Sequence, residues 1–389
     1  MPGSLGPTGG VVAAKAAQGG RDSVPQSARL RGKLLPVAVG ELVPGQRTAD
    51  GLVVGYEPLL LRVEGAEGEL RRRRWRTGLL FRAVAAGQRE RRQEGEGAPV
   101  DSPAMRVLVT GASGFVGRAL VEELRHGERS YEVHALERSA GDLAEPGVAH
   151  AALAEAQPDT VVHAAARIGV VRCEEEPLLA LRSNVLATTL VARACAAHGT
   201  RLAYVSTADV YGAAPVADEG IAPAPASLYA LTKWWGEQAA RLYAPERLLV
   251  LRIANPYGPG VETGQGKGAL PTMLQQAERG ERIPAFRGEA RSWCWIGDVA
   301  RAVRLVLESG EDGVFNIGSD ADPLSLTDAA RIACEVAGAS PELVDEVEPP
   351  PGRVTPRIGV ERLRALGWRP EVGLEEGLRL LLESSRQAA

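Results

Sequence analysis

A tyrosine and a lysine stand four residues apart in the segment Tyr229-Ala-Leu-Thr-Lys233. Residues i and i+4 share one face of a helix, so the ammonium group of Lys233 is expected to lie beneath the phenol of Tyr229. A free tyrosine has a pKa of about 10, which is too high for a base at neutral pH. Because a nearby cation stabilises the phenolate and lowers that pKa, the pair predicts a tyrosine that exchanges protons with a substrate oxygen.

A second polar segment, Ser206-Thr-Ala-Asp-Val-Tyr-Gly212, follows an apolar run that ends at Val205. Thr207 precedes Tyr229 by 22 residues, and its hydroxyl is expected to hydrogen-bond the substrate oxygen as the charge on that oxygen changes. A tyrosine and lysine at this spacing arise by chance in many helices, and the hydroxyl segment makes the pattern more specific. We therefore predict Thr207, Tyr229 and Lys233 as catalytic residues.

A glycine-rich turn begins the C-terminal part of the chain, in the run Thr110-Gly-Ala-Ser-Gly-Phe-Val-Gly117, between a predicted strand and a predicted helix. Gly111 permits a tight turn, Gly114 lets the backbone approach a pyrophosphate, and Gly117 allows the helix to pack closely on the strand. The N-terminus of the helix favours the phosphate charge. The pattern predicts a dinucleotide cofactor, whose ribose Lys233 is expected to hold.

The type of dinucleotide depends on Glu137, which follows Gly117 by 20 residues at the end of the second predicted strand. A carboxylate at this place accepts hydrogen bonds from the adenosine ribose and repels a 2′-phosphate, which favours NAD. Arg138 can accommodate that phosphate, so NADP stays open. An exposed charge at a strand end is the alternative interpretation of Glu137.

From Met105 onward, strands that are apolar on both faces alternate with helical segments. This pattern is typical of an α/β fold with a doubly wound parallel (Rossmann) sheet, whose ligands lie at the carboxyl ends of the strands. Beyond Gly258 the pattern loosens, which indicates a smaller C-terminal substrate-binding lobe. We predict a Rossmann core over 105–255 and 296–320, and a lobe over 256–295 and 321–389.

Residues 1–104 differ from the rest, being rich in Gly, Pro and Arg, with the block RRRRWR at 71–76. Such composition predicts a low-complexity extension that is disordered or not part of the native protein, with Met105 as an alternative start. We expect 105–389 to be the functional unit.

Composition also bears on partners and location. The net charge of −4 does not suggest a nucleic-acid partner. The sequence has no run of about 18 apolar residues, so no membrane span is expected. The four cysteines lack metal-ligand spacing and the start lacks the pattern of a signal peptide, so a cytoplasmic protein without a metal site is expected.

Seven motifs follow one another in the order TGASGFVG, VVHAAA, STADVYG, YALTK, LRIANPYGPG, RSWCWIGDVARAV and FNIGS. Together they resemble the extended short-chain dehydrogenase/reductases, the nucleotide-sugar epimerase/dehydratase family, over 105–389. The resemblance implies a homodimer that binds a nucleotide sugar. It implies that Asn255, Leu270 and Arg291 face the substrate diphosphate. It also implies a set of residues around the dinucleotide: Gly111, Gly114, Phe115, Val116, Gly117, Glu137, Arg138, Asp142, Leu143, Ala164, Ala165, Ala166, Arg167, Asn184, Tyr229 and Lys233. His163, within VVHAAA, is expected to be a packed strand-end residue.

Three reactions occur in this family: dehydration, epimerisation and reduction. The 4,6-dehydratases carry an Asp-Glu pair straight after the catalytic threonine, whereas this chain has Ala208-Asp209, so the general acid is missing. STADVYG, NPYGPG and the RSW segment resemble the 4-epimerases. The short link ALERSAGDLAEP resembles the dTDP-4-dehydrorhamnose reductases. We predict a nucleotide-sugar 4-epimerase; the alternatives are a 4-ketoreductase of NDP-4-keto-6-deoxysugars and an inactive cofactor-binding regulatory subunit.

Overall fold

The computed structural model describes residues 104–127, 131–244, 247–261, 268–349 and 356–388. The predictions for 1–103 lie outside the described residues. The helices and strands are, in chain order, β1 (Met105–Thr110), α1 (Phe115–His126), β2 (Tyr131–Leu136), α2 (Val148–Ala156), β3 (Thr160–His163), α3 (Val170–Glu175), α4 (Pro177–Leu181), α5 (Ala187–His198), β4 (Arg201–Thr207), β5 (Val216–Ala217), α6 (Leu228–Tyr243), β6 (Leu248–Ile253), β7 (Pro256–Tyr257), α7 (Ala269–Glu278), β8 (Ile283–Phe286), β9 (Ala290–Arg291), β10 (Cys294–Trp295), α8 (Ile296–Ser309), β11 (Gly313–Ile317), β12 (Leu324–Ser325), α9 (Leu326–Ala337), β13 (Val344–Val347), β14 (Arg357–Ile358), α10 (Glu361–Ala365) and α11 (Leu374–Ala388).

Six parallel strands form the central sheet, in the order β11-β6-β4-β3-β1-β2. Every residue of β3, β4 and β6 is buried, as in a parallel sheet covered on both faces. The predicted α/β doubly wound fold is therefore confirmed. Strand β2 lies on one side of β1, whereas β3 and the later strands lie on the other side, so the strand order reverses at β1. The carboxyl ends of β1 and β3 thus flank the point where such sheets bind ligands.

Helices cover both faces of the sheet. One face packs on α1 and α8, with residues such as Leu120, Val299 and Val303 in a single apolar cluster. The other face packs on α2, α5 and α6, which contribute Leu153 and Val191 to a second cluster. The strand residues are consequently desolvated from both sides, and each polar group that enters this region needs a partner.

One helical run among the described residues, Pro177–His198, has a length of 22 residues and a mean hydropathy of 1.2 that would suit a membrane span. It consists of α4, a π-helical turn over Arg182–Leu186, and α5. Its buried residues, among them Val191, Ala194 and Cys195, pack in the second cluster under the sheet. The same apolar composition is required of a helix in a protein core.

The smaller lobe has a separate apolar cluster built on α7, α9 and α11, with Leu274, Ala330 and Leu378 at its centre. Residues 358–368, which were predicted to belong to the lobe, pack elsewhere. Ile358, Leu363 and other apolar side chains of residues 358–368 pack in the cluster of the sheet rather than in that of the lobe. The reason is that β14 pairs with β5, which holds this segment against the sheet.

Helix α6, which carries the tyrosine and lysine, lies close to β4 and to the π-helical turn that precedes α5. It begins at Leu228 after Ser227, whose Oγ accepts a hydrogen bond from Ala230 N at 3.2 Å. At Gly236, a Cβ atom would collide with the hydroxyl of Tyr204 and lie 2.8 Å from the carbonyl oxygen of Asn184. A glycine is therefore required for α6 to approach the sheet as it does.

We expect Gly236→Ala to destabilise the protein by about 1–3 kcal/mol, because the Cβ forces apart fully packed elements. The higher helix propensity of alanine, about 1 kcal/mol, opposes this loss without cancelling it. Urea denaturation measures the difference. The exposed Gln238 on the same helix provides the control, since Gln238→Ala should change stability by less than about 0.5 kcal/mol. A Gly236→Ala variant as stable as the wild type would contradict the close packing.

Candidate active site

The three predicted catalytic residues meet at the carboxyl end of β4. Thr207 is the last residue of β4, and Tyr229 and Lys233 lie on the first turns of α6. Thr207 Oγ1 accepts a hydrogen bond from Asp209 N at 3.2 Å, and the same hydroxyl acts to lower the pKa of Tyr229. Lys233 is buried, and its Nζ donates to the carbonyl oxygen of Val205 at 2.6 Å and lies 4.2 Å from the ring centre of Tyr204. The structure thus brings together the side chains that the sequence separates by 22 residues.

The protonation of Tyr229 differs from the expectation. Burial raises the pKa of Tyr229, the negative charge of Asp209 raises it further, and the hydrogen bond from Thr207 opposes both. Burial therefore opposes the lowering of this pKa that a nearby cation was expected to produce. The physical reason is that the phenol loses hydration when α6 packs on β4, and desolvation disfavours the phenolate.

Burial also changes the pKa of Lys233, which it lowers rather than raises. Desolvation lowers the pKa of Lys233 to about 7, while the carboxylate of Glu237 on the next turn of the helix raises it. The ammonium form therefore predominates below pH 7 and is lost above it. Lys233 consequently titrates in the range where most enzymes work, although an unperturbed lysine does not.

The glycine turn leads from β1 into α1. Gly111 has φ +66°, and a Cβ there would lie 2.6 Å from Ala165 N, while a Cβ at Gly117 would overlap the carbonyl oxygen of Gly111. Helix α1 begins at Phe115 after Gly114, which has no side chain to cap it. The first N–H groups of the helix, those of Phe115 and Val116 included, lack intrahelical acceptors and suit an anion. The turn therefore fits the pyrophosphate of a dinucleotide.

The loop that follows β3 lies against this turn. Ala164 N donates to Thr110 O at 3.2 Å and Ala165 N to Thr110 Oγ1 at 3.3 Å. Further along, past Ala166, the backbone N–H of Arg167 donates to Asn184 Oδ1 at 2.7 Å. Predicted cofactor residues from two separate segments thus form one continuous edge.

Asn184, predicted as a cofactor residue, also connects the loop after β3 to helix α6. Its side chain is fully buried in the π-helical turn and donates to Arg167 O at 2.9 Å and to Thr232 Oγ1 at 3.0 Å. Since the side chain already bonds both the loop and α6, it fixes their relative positions rather than reaching a ligand directly.

The end of β2 presents the residues that were predicted to select the dinucleotide. Glu137 and Arg138 are both exposed there. Asp142, predicted alongside them, accepts from Ala144 N at 2.9 Å and pairs with Arg182 at 3.0 Å. These contacts, the hydrogen bond from Ala144 first, lower the pKa of Asp142. Asp142 therefore organises the loop, as does the half-buried Leu143, which packs on the second apolar cluster.

His163 is packed inside, as expected for a strand-end residue. Its ring is fully buried, with Nδ1 2.7 Å from Thr110 Oγ1 and Nε2 3.2 Å from Thr188 Oγ1. Burial, and then the charge of Lys233, lower the pKa of His163 to about 3. The imidazole is therefore neutral at physiological pH and adds no charge to the site.

The three predicted substrate residues lie in different environments. Asn255 adopts a left-handed backbone, φ +43°, and donates from Nδ2 to Ser292 O at 3.1 Å. Arg291 Nη2 lies 3.4 Å from Glu289 Oε2. Leu270 is fully buried in the lobe cluster and presents no surface to a ligand, contrary to the expectation that it faces the diphosphate.

Two residues beside Tyr229 were not predicted as part of the site. Asp209 keeps an exposed surface but stands in the cleft, where desolvation raises its pKa and the charge of Arg291 lowers it. Cys173 is fully buried, with Sγ 3.6 Å from Arg167 O, and burial raises the pKa of its thiol. Asp209 was visible in STADVYG, whereas nothing in the spacing of Cys173 indicated its place.

Known proteins resemble this chain in sequence and in fold. The family described as "NAD dependent epimerase/dehydratase family" matches residues 107–318. The UDP-glucose 4-epimerase of Mycolicibacterium smegmatis is 30% identical, over 72% of this chain and 99% of that protein. The dTDP-4-dehydrorhamnose reductase of the same organism is 31% identical, over 64% and 74%. The UDP-glucose 4-epimerase of Thermus thermophilus, solved in complex with NAD, superposes with a TM-score of 0.65 at 30% identity, over 73% of this chain and all of that one.

Glu137 generates a prediction about the cofactor. NAD(H) should bind more tightly than NADP(H), because the carboxylate meets the 2′-phosphate with like charge. Glu137→Gln should reduce the preference for NAD(H) over NADP(H). Glu132 is an exposed residue of β2, and Glu132→Gln should leave this preference unchanged. Titration by nucleotide fluorescence measures both. Equal or tighter NADP(H) binding by the wild type would assign control of the site to Arg138 instead.

Proposed function

This chain belongs to the NAD dependent epimerase/dehydratase family, and we propose that within it the protein is a nucleotide-sugar 4-epimerase that uses NAD. The observation that carries the proposal is the joint position of Thr207, Tyr229 and Lys233 at the carboxyl end of β4. A phenol, a hydroxyl and an ammonium group in that arrangement suit proton exchange at a sugar hydroxyl that becomes a ketone.

Dehydration has less support, because the acid of the dehydratase pair has no counterpart. Ala208 stands in its place, and its methyl group packs in the apolar cluster of the sheet. Asp209 alone supplies one carboxylate, whereas elimination of water needs an acid and a base. Among the remaining reactions, epimerisation is favoured by the similarity to the UDP-glucose 4-epimerase of M. smegmatis. This chain covers 99% of that protein at 30% identity.

The mechanism follows from the protonation states. NAD, held by the glycine turn, Glu137 and Lys233, would supply reversible hydride transfer at C4 of the sugar. Tyr229 takes the proton of the C4 hydroxyl and gives it back, and Thr207 hydrogen-bonds the oxygen while its charge changes. Lys233 contributes positive charge beside the phenol and holds the ribose. Because burial raises the pKa of Tyr229, the positive charges in the loaded site are needed to favour the phenolate.

Substrate binding is assigned to the cleft between the sheet and the lobe. Arg291 and Asn255 would face the diphosphate, the former because a guanidinium fork can hold phosphate oxygens in a bidentate way. Arg291 lies 3.4 Å from Glu289 in the structure, so the diphosphate would compete with that carboxylate. Glu137 would hold the adenosine ribose of NAD.

A 4-ketoreductase is the second candidate, and the protonated Tyr229 favours it. A phenol whose pKa is raised by burial is a ready proton donor to a 4-keto sugar, which is what reduction requires. In that reaction the reduced dinucleotide is consumed at each turnover, and only the second half of the epimerase cycle takes place.

The two candidate reactions differ in whether they need a reduced dinucleotide from solution. We expect the purified protein to interconvert UDP-glucose and UDP-galactose, or another pair of C4 epimers from a nucleotide-sugar panel, with no added reductant. Deuterium placed at C4 of the substrate should remain at C4 of the product, which NMR detects. Stoichiometric oxidation of added NADH or NADPH with an NDP-4-keto-6-deoxysugar, and no interconversion of epimers, would replace this function with the ketoreductase.

Tyr229→Phe tests the proton carrier in either reaction. The variant should keep the fold and bind NAD, yet lose about 10²–10⁴-fold in turnover, the usual contribution of general acid–base catalysis. Thr207→Val should lose less, because Thr207 orients and stabilises without carrying the proton. Steady-state kinetics and thermal denaturation measure both variants. Near-normal turnover by Tyr229→Phe would mean that another group carries the proton.

A further inference from the structure

A buried ion pair lies directly behind the catalytic helix face. Glu237 is one turn beyond Lys233 on α6 and is fully buried. Both of its oxygens are engaged by Arg252 of β6, whose Nη2 lies 2.8 Å from Oε2 and whose Nε lies 3.0 Å from Oε1. Ser206 of β4, the neighbour of Thr207, donates from Oγ to Glu237 Oε1 at 2.6 Å. Three elements of the site therefore converge on one carboxylate.

Stability alone is a poor explanation for this arrangement. Taking two charges out of water is costly, and apolar residues of similar volume often stabilise a core as well as a buried ion pair does. Arg252 is also 3% exposed and stacks with its guanidinium carbon 4.8 Å from the ring centre of Tyr211, so solvent repays little of the desolvation. A role for the negative charge at this position accounts for it better.

The groups that face Lys233 come from four elements. They are Glu237 of α6, Cys173 of α3, Tyr204 of β4 and His163 of β3. Burial raises the pKa of the Cys173 thiol and that of the Tyr204 phenol, and the pKa of His163 is lowered to about 3, so these three groups are neutral near pH 7. Among them, Glu237 is the anion beside the buried ammonium group.

We propose that Glu237, fixed by Arg252 and Ser206, is a positioning residue that favours the ammonium form of Lys233. The role assigned to Lys233 rests on the proposed function, whereas the effect of Glu237 on its charge does not. Lys233 must be an ammonium group to stabilise the phenolate of Tyr229, and burial acts against that form. The carboxylate offsets the desolvation, and Arg252 orients the carboxylate through two hydrogen bonds.

The chain is well suited to a direct measurement, because it has four lysines, Lys15, Lys33, Lys233 and Lys267. NMR of protein labelled at lysine with 13C and 15N follows the titration of each side chain without turnover, and Lys233→Arg assigns the relevant signal. In Glu237→Gln we expect the Lys233 midpoint to fall by about one pH unit or more, the size typical of a lost opposite charge nearby. The alkaline limb of kcat/KM should move to lower pH by the same amount, since the ammonium form is the active one.

Two further variants separate charge from structure. Glu237→Gln leaves Arg252 buried without its partner, so Glu237→Gln/Arg252→Met removes both charges and restores an apolar core. The midpoint should be lowered in the double variant as well. Glu123→Gln is the matched control: it breaks a similar pair, Arg304 Nε to Glu123 Oε1 at 2.7 Å, on the opposite face of the sheet. This control should lose stability while the Lys233 midpoint stays unchanged.

The outcomes are distinct. An unshifted Lys233 midpoint in the folded double variant would overturn the proposal and leave the ion pair a purely structural role. A shifted midpoint in a protein that turns over no nucleotide sugar would support the role of Glu237 and reject the proposed function instead.

Discussion

The close contact of helix α6 with strand β4 is the constraint on which the site depends. Position 236 has room for a hydrogen atom only, so the helix lies deep against the fully buried Tyr204. Tyr229, Lys233 and Glu237 follow one another at intervals of four on the same helix, and its depth decides how far each enters the protein. A small residue at one place thus sets the environment of three ionisable groups.

Deep burial has an electrostatic consequence. The same desolvation that raises the pKa of Tyr229 lowers that of Lys233 to about 7, so each residue is driven towards its neutral form. Few charged groups lie near these two residues. His163 is neutral, and Glu237 lies behind the lysine in an ion pair with Arg252. Positive charge brought into the site would shift Tyr229 towards the phenolate, against the effect of its burial.

The cofactor edge and the catalytic helix are mechanically joined. Asn184 hydrogen-bonds the backbone of Arg167, in the loop after β3, and the side chain of Thr232, next to Lys233. The same loop rests on Thr110 at the glycine turn. These hydrogen bonds therefore fix the spacing between the glycine turn and the phenol, which neither motif alone determines.

The sequence by itself determined the parallel sheet, the glycine turn and the grouping of Thr207, Tyr229 and Lys233, because each depends on local patterns of hydrophobicity and spacing. Tertiary structure decided the rest. The direction of the Tyr229 pKa shift, the inward side chain of Leu270 and the packing of residues 358–368 on the sheet depend on contacts between distant segments. Desolvation in particular is a property of the assembled core, so no spacing in the chain expresses it.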